Sequence, residues 1–392
     1  MIPFLFFALA KHQQQYFRRL LEQPELHGKV LTPGQLPWPN PLRWRRIAGR
    51  IDWPQVMAEK CQERQVKRKY AGRLYRLVLR LELAWVALRL EKMLVRDKPR
   101  AVLMWNGSHR YCQVLLALLP TGTKTLFFEN GLLPDTTTLD ARGVNYRNSV
   151  PRDAAFYLAR HAAAGAGETG THAADIRLIP RKPRLPGQAE VALPERFIFM
   201  PFQDDRDTQV RLFSPWIADM RAFFAVGERL AEATGLPVVF KEHPSSREVY
   251  PDLHQRTGRG LLFANGNATQ ALIEASLFVV TLNSTVGIES LLLGKPVLTL
   301  GQAFFNIEGL VAHADGLDEA LKRAQTFPQW GLSETVRCQF FQYMADEYCI
   351  PGSWRTVDNR HAQAVAQRMC SVLGVDLPLQ GTRKEQQALS GA

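Results

Sequence analysis

The feature that most constrains this chain is a recurring unit: a short, unbroken apolar run, a polar turn, then a helix-like stretch. Such runs occupy residues 2–9, 101–105, 124–128, 197–201, 237–240, 260–263, 277–282 and 296–300. Each is too short for a typical helix and lacks the alternation of a strand with one wet face. Runs of this kind read as strands buried on both faces, and alternation with helices makes a parallel sheet covered above and below. Helices are expected at 11–21, over a long tract from 54 to 96, at 111–118 and 215–233. Others are expected to begin near 269, 284, 317, 334 and 356.

Composition divides the series in two. At 158–195 the chain turns to Ala, Gly, Thr, Pro and Arg (AAAGAGETGTHAA, then IPRKPRLPG), which suits a linker. The expected fold class is α/β, with two Rossmann-like doubly wound domains at 1–157 and 196–376 and a flexible tail at 377–392. With 392 residues, 46% of them hydrophobic, the chain has enough apolar mass for two cores. Ligands of such sheets bind beyond the carboxyl ends of the strands.

Other classes are excluded on the same grounds. Charged residues at 22% and a mean hydropathy of −0.18 argue against a disordered chain and against an integral membrane protein. The opening MIPFLFFALA is too short to span a bilayer and lacks the basic start of a signal peptide. Five scattered cysteines without a C-x-x-C pair form neither a disulfide framework nor a zinc site. A cytoplasmic location is expected. The net charge of +12 points to anionic partners.

Four post-strand segments carry the chemistry. Asn283, Ser284 and Thr285 start a helix after an apolar strand, Gly287 keeps its first turn open and Glu289 lies on it, an arrangement suited to a phosphate. An ordinary helix cap reads equally well, and no dinucleotide or P-loop glycine pattern is present. Lys241, Glu242 and His243 leave a second strand and suit a phosphate or carboxylate; a solvated turn is the plainer alternative. Gln203, Asp204, Asp205, Asp207 and Gln209 crowd the end of a third, offering a nucleophile, a base or a metal ligand set, or merely an acidic loop. The fourth, residues 127–153, lacks periodicity, and a loop that long is usually functional. In it Glu129 stands where a base would face the cleft, near Asn106, Gly107 and His109.

Taken together, ENGLLP, D-x-RGVN, S-x-PRD, P-x-Q, D-x-Q, K-E-HP and NSTVGIE-x-LLLGKPV, running in order between Asn106 and Leu310, resemble the capsular polysaccharide β-Kdo glycosyltransferases of the Kps type. In size the chain resembles their single-module, lipid-directed members. The resemblance implies a GT-B-like architecture with an acceptor-side first domain and a CMP-sugar-binding second domain. It implies a retaining transfer of Kdo from CMP-Kdo to a (lyso)phosphatidylglycerol-type lipid or a Kdo-lipid, with no obligatory metal or other cofactor. By position, Asp207 would be the nucleophile, with Asp204 and Asp205 as alternatives, and Glu129 the base. His243, a third catalytic residue, and Lys241 would lie by the phosphate or sugar carboxylate, Asn283, Ser284 and Thr285 would hold the CMP phosphate, Gln203 and Gly287 would bind substrate or nucleotide, and Glu289 would bind the ribose. NYRNS departs from the small-residue pattern expected after GVN.

Two rival classes were weighed: a CDP-polyol phosphotransferase of the teichoic-acid type, and a basic lipid- or nucleic-acid-binding protein. Leu282-Asn283-Ser284-Thr285 lacks the Asp expected of the first. The second lacks aromatics interleaved with its cations, so no nucleic-acid partner is expected. The charge itself is local: residues 60–100 hold thirteen Lys and Arg against four Asp and Glu. Leu74, Leu77, Val78, Leu81, Trp85, Leu88 and Leu94 recur there at helical spacing. They read as a face packed on the domain, with a basic face either solvated or set against an anionic inner leaflet. Partnership with other capsule assembly proteins is a further expectation.

Overall fold

The computed structural model describes residues 3–374 apart from 25, 67–68, 165–175, 177, 179–187, 247 and 259. Among the described residues the strands form two six-stranded sheets. The first contains β1 (Phe4–Phe7), β2 (Gly28–Leu31), β3 (Ala101–Trp105), β4 (Lys124–Asn130) and β5 (Thr136–Asp140). The second contains β6 (Ile198–Pro201), β7 (Val238–Lys241), β8 (Leu261–Phe263), β9 (Phe278–Thr281), β10 (Val297–Thr299) and β11 (Ala312–His313). A last strand, β12 (Ile350–Pro351), returns to the edge of the first sheet.

The second sheet runs β11-β10-β9-β6-β7-β8 and is parallel throughout. This is the doubly wound order, with its switch point between β6 and β9, where the outgoing loops diverge and leave a crevice. Its strands are buried on both faces. Ile198, Met200, Val238 and Phe240 pack under Phe223, Phe224 and Leu230 of the helix Met220–Thr234. Phe199, Val239 and Val279 pack against Leu272, Ile273 and Val286 on the other side.

The first sheet, β12-β5-β4-β3-β1-β2, departs from an all-parallel expectation. β5 runs antiparallel to β4, and β12 antiparallel to β5. Successive β1 side chains sort to opposite faces. Leu5 and Phe7 join Leu79, Leu83 and Leu115, while Phe4 and Phe6 join Phe17, Val365 and Met369. The last two belong to the helix Asn359–Leu373. Residues 350–373, expected in the second domain, therefore complete the first. Without them the aromatic face of β1 and β4 would meet water, at a cost of about 1.5–3 kcal/mol for each large side chain exposed.

Three further expectations are corrected. The tract 54–96 is two helices, Trp53–Val66 and Arg73–Asp97, the second starting at the Gly72 N-cap; glycine is a poor helix former. Residues 127–153 are not one irregular loop, because β4 extends to Asn130 and β5 pairs with it from Asp140 to Thr137. In the basic tract Leu88 and Leu94 are buried, but Leu74, Leu77, Val78, Leu81 and Trp85 are exposed. The linker reading begins inside a helix, Ala154–Ala164, and most of its remainder lies outside the described residues, as does the tail at 377–392. No described helix is long and apolar enough to cross a membrane.

The two halves are joined by apolar packing. Leu133, Val150 and Tyr157 share a core with Ile288, Phe304, Phe340 and Tyr348. Beside this seam, residues that follow β3 and residues that follow β6 line a common cavity.

Candidate active site

On the first domain the site is built on the end of β4. Glu129 Oε2 accepts from Asn106 Nδ2 at 2.7 Å, and Oε1 accepts from the Asn130 N–H at 2.9 Å. The Trp105 indole is a further donor. Burial pushes the Glu129 carboxyl above the ordinary glutamate range, and the charge of Asp207 pushes in the same direction, against these donors. That coupling places Glu129 and Asp207, from different domains, within electrostatic reach. Asn106 stands at the end of β3 with φ 61°, a left-handed conformation that Asn tolerates. Gly107 follows at φ 78°, where a Cβ would lie 2.6 Å from the Phe127 ring. The turn therefore requires glycine and aims the Asn106 amide at Glu129.

On the second domain the three acidic residues after β6 separate by role. Asp205 is buried, and its carboxylate accepts from the Met220 N–H at 2.8 Å and from the Tyr250 hydroxyl at 2.9 Å. It holds a helix start and a tyrosine. Asp204 accepts from the Arg206 N–H at 3.0 Å, closing its own turn. Asp207 is the exposed one, capping the short helix Thr208–Phe213 through the Gln209 N–H at 2.9 Å. Among the described residues no three His, Cys, Asp or Glu side chains group as ligands for a metal ion.

The switch point is bridged by two amides. Gln203, after β6, donates from Nε2 to Asn283 Oδ1 at 2.9 Å, and its Oε1 accepts from the Asn283 backbone N–H at 3.3 Å. Asn283 Nδ2 donates to the carbonyls of Gln209 and Phe213 at 3.0 and 3.1 Å. Both residues are buried. Expected to bind substrate or nucleotide, their side chains tie β6, β9 and the Asp207-capped helix together. Gly287 is also structural in its reason: a Cβ there would lie 2.8 Å from the Phe305 ring. Ser284 accepts from the Val286 N–H at 3.1 Å and caps the helix Thr285–Leu292. Thr285 and Glu289 lie one turn apart on that helix and are half-buried, while the residues between them are buried.

On the neighbouring strand Lys241 donates to the carbonyls of Asn265 and Asn267 at 2.7 and 2.6 Å, and burial lowers its pKa. Two of its three donors thus brace a loop. The Ser245 N–H donates to His243 Nδ1 at 3.3 Å, which leaves Nε2 to carry the proton of the neutral ring.

Between the domains lies a cavity of about 130 Å³, lined by Asn106, Gly107, Arg142 and Arg147 from one side and Thr208 and Phe213 from the other. Its two cations come from a loop organised by Asp140. That carboxylate accepts from the N–H groups of Arg142 and Ser149, both at 2.7 Å, and from the Tyr348 hydroxyl at 2.8 Å. The D-x-RGVN…S spacing is therefore a loop clamp that presents Arg142 and Arg147 to the cavity. Neither arginine was among the site residues expected from the sequence, although the motif around them was visible. Asn106, expected on the strand neighbouring Glu129, is its hydrogen-bond partner, whereas Trp105 was missed because it lies over twenty residues away in the chain.

Residues 186–350 match the family described as capsule polysaccharide biosynthesis protein. The chain is 35% identical over 288 residues to protein FixF of Sinorhizobium fredii, covering 71% of this chain and 66% of that protein. Its fold is similar to that of the β-Kdo 2,7 transferase of Thermosulfurimonas dismutans KpsC, with a TM-score of 0.50 at 12% identity over 94% of this chain and 99% of that one. Two Rossmann-like domains in a GT-B-like arrangement are thus both read from the sheets and matched by a solved fold.

Proposed function

We propose that this chain, whose residues 186–350 match the capsule polysaccharide biosynthesis protein family, is a retaining glycosyltransferase that moves Kdo from CMP-Kdo to a lipid or glycolipid acceptor. The observation that carries this reading is the Glu129–Asp207 pair. One carboxyl, raised by burial above the ordinary glutamate range, suits a base, and it shares the cleft with a second, exposed carboxylate.

Retention requires two displacements. In the first, an Asp207 oxygen bonds to the anomeric carbon while the bond to the CMP phosphate breaks, and CMP leaves with that electron pair. In the second, the acceptor hydroxyl bonds to the same carbon, its proton passes to Glu129, and Asp207 is released as a carboxylate. Arg142 and Arg147 suit the donor's carboxylate and phosphate, since a guanidinium meets either with paired donors. His243 Nε2 and the remaining Lys241 donor are assigned to the leaving phosphate, and the helix start at Ser284 and Thr285 with Glu289 to the nucleoside.

Incubation with CMP-Kdo and a lysophosphatidylglycerol acceptor tests the reading, with product followed by mass. Asp207→Asn is expected to lose transfer by at least about 10³-fold while CMP still raises its melting temperature. Near-normal turnover in that variant would remove Asp207 as nucleophile. Stabilisation by CDP but not CMP would instead support the CDP-polyol class.

A further inference from the structure

The helix Arg73–Asp97 is apolar on two sides. Leu79, Leu83, Val86, Leu90 and Met93 are buried against the first sheet's covering layer. Leu74, Leu77, Val78, Leu81 and Trp85 lie in water, with Leu74 67% and Leu81 63% exposed. At 100° per residue these five fall within an arc of about 100° on the face away from the core. The Pro/Trp loop extends this face. Trp38 is 78% exposed and its ring meets that of Trp85 edge-on, with centroids 6.0 Å apart. The loop is held in place by Arg89, which donates to the carbonyls of Leu36 and Pro37. Large apolar side chains grouped on a braced surface mark an interaction site rather than scatter.

Charge selects the partner. Arg73, Arg76 and Arg80 are exposed along one edge of the stripe. The three acids of the helix are engaged elsewhere: Glu82 with Arg110, Glu91 with Arg43, and Asp97 with Arg96 and Lys29. An apolar stripe with interfacial tryptophans and a cationic edge matches a lipid surface carrying negative headgroups. The same helix also reaches the cleft. Glu82 accepts from Arg110 at 2.9 Å and from the Tyr111 hydroxyl at 2.6 Å. His109 caps the helix Arg110–Leu118, to which both partners of Glu82 belong, and follows the turn from which Asn106 holds Glu129.

We propose that the stripe from Leu74 to Trp85, with the Trp38 loop beside it, inserts into the surface of an anionic bilayer while Arg73, Arg76 and Arg80 meet its headgroups. The core of the domain faces the opposite side of the same helix, so docking leaves the fold unchanged. The inference is independent of the reaction proposed above and needs no donor.

Co-sedimentation of the full chain with phosphatidylcholine vesicles, with and without phosphatidylglycerol, tests it. Binding is expected to the anionic vesicles and to fall at high salt. The double variant Leu77→Glu/Leu81→Glu is expected to weaken it by at least about tenfold, with its melting temperature and circular dichroism preserved because both positions are exposed. Arg73→Gln/Arg76→Gln is expected to reduce the preference for the anionic vesicles. Equal binding to neutral vesicles, or anionic binding that the leucine variant leaves intact, would overturn the proposal. So would a chain that ignores vesicles but forms a concentration-dependent dimer that the leucine variant dissolves, since the face would then belong to a second copy.

Discussion

Glu129 holds its proton at a higher pH than an exposed glutamate, because burial and the charge of Asp207 both disfavour its ionised form. As a base it works only when ionised, so activity is present above its pKa and is lost as pH falls through it. The acid limb of kcat/KM is therefore expected above the ordinary glutamate range. Asn106 opposes the shift by donating to the ionised carboxylate. Asn106→Ala removes that donor, which should raise the pKa further and move the acid limb upward by about one to two pH units, taking a charged hydrogen bond as worth about 1.5–3 kcal/mol. A pH–rate profile decides this: a variant with lower activity but an unmoved limb would mean that Asn106 only shapes the turn. Among the acids after β6 the sequence left three candidates open. Packing distinguishes them, since Asp205 is engaged by Met220 and Tyr250, Asp204 by its own turn, and Asp207 alone is exposed at the cleft.

Among the elements, the apolar runs at β1, β3, β4, β6, β7, β8, β9 and β10 were legible because a strand buried on both faces needs no partner to look like one. β2, β5, β11 and β12 were not. GKVL is short, TTTLD is polar, and β11 and β12 are two residues each. They are strands because an existing edge pairs their backbone, a tertiary cause that leaves little trace in local composition. The amides at the β6–β9 switch point illustrate the same limit. Gln203 and Asn283 look like ligand donors in sequence, eighty residues apart, and only the adjacency of β6 and β9 shows that they satisfy each other. Asn283→Ala would leave the Gln209 and Phe213 carbonyls and the Gln203 amide without this partner. A loss of about 1–3 kcal/mol in stability is expected, read as a lower melting temperature. An unchanged melting temperature with weakened CMP binding would return Asn283 to the ligand.

For the whole molecule, the decisive feature is the return of the chain to its first domain. β12 pairs with β5, and the helix Asn359–Leu373 covers the aromatic face of β1 and β4. Ending the chain after residue 349 should therefore damage the amino-terminal domain, although the cut lies beyond the second sheet. Limited proteolysis is expected to cleave first within residues 1–160 of the shortened protein; unchanged protection there would show that the helix is dispensable. The sequence by itself determined the α/β class, the presence of two sheets and the post-strand location of the site, because these follow from local periodicity and from the burial of parallel strands. Tertiary structure alone decided which domain the last helix serves, which acid faces Glu129, and that Leu74, Leu77, Leu81 and Trp85 point outward. Periodicity states that a face is apolar; only packing states which apolar face the core has already taken.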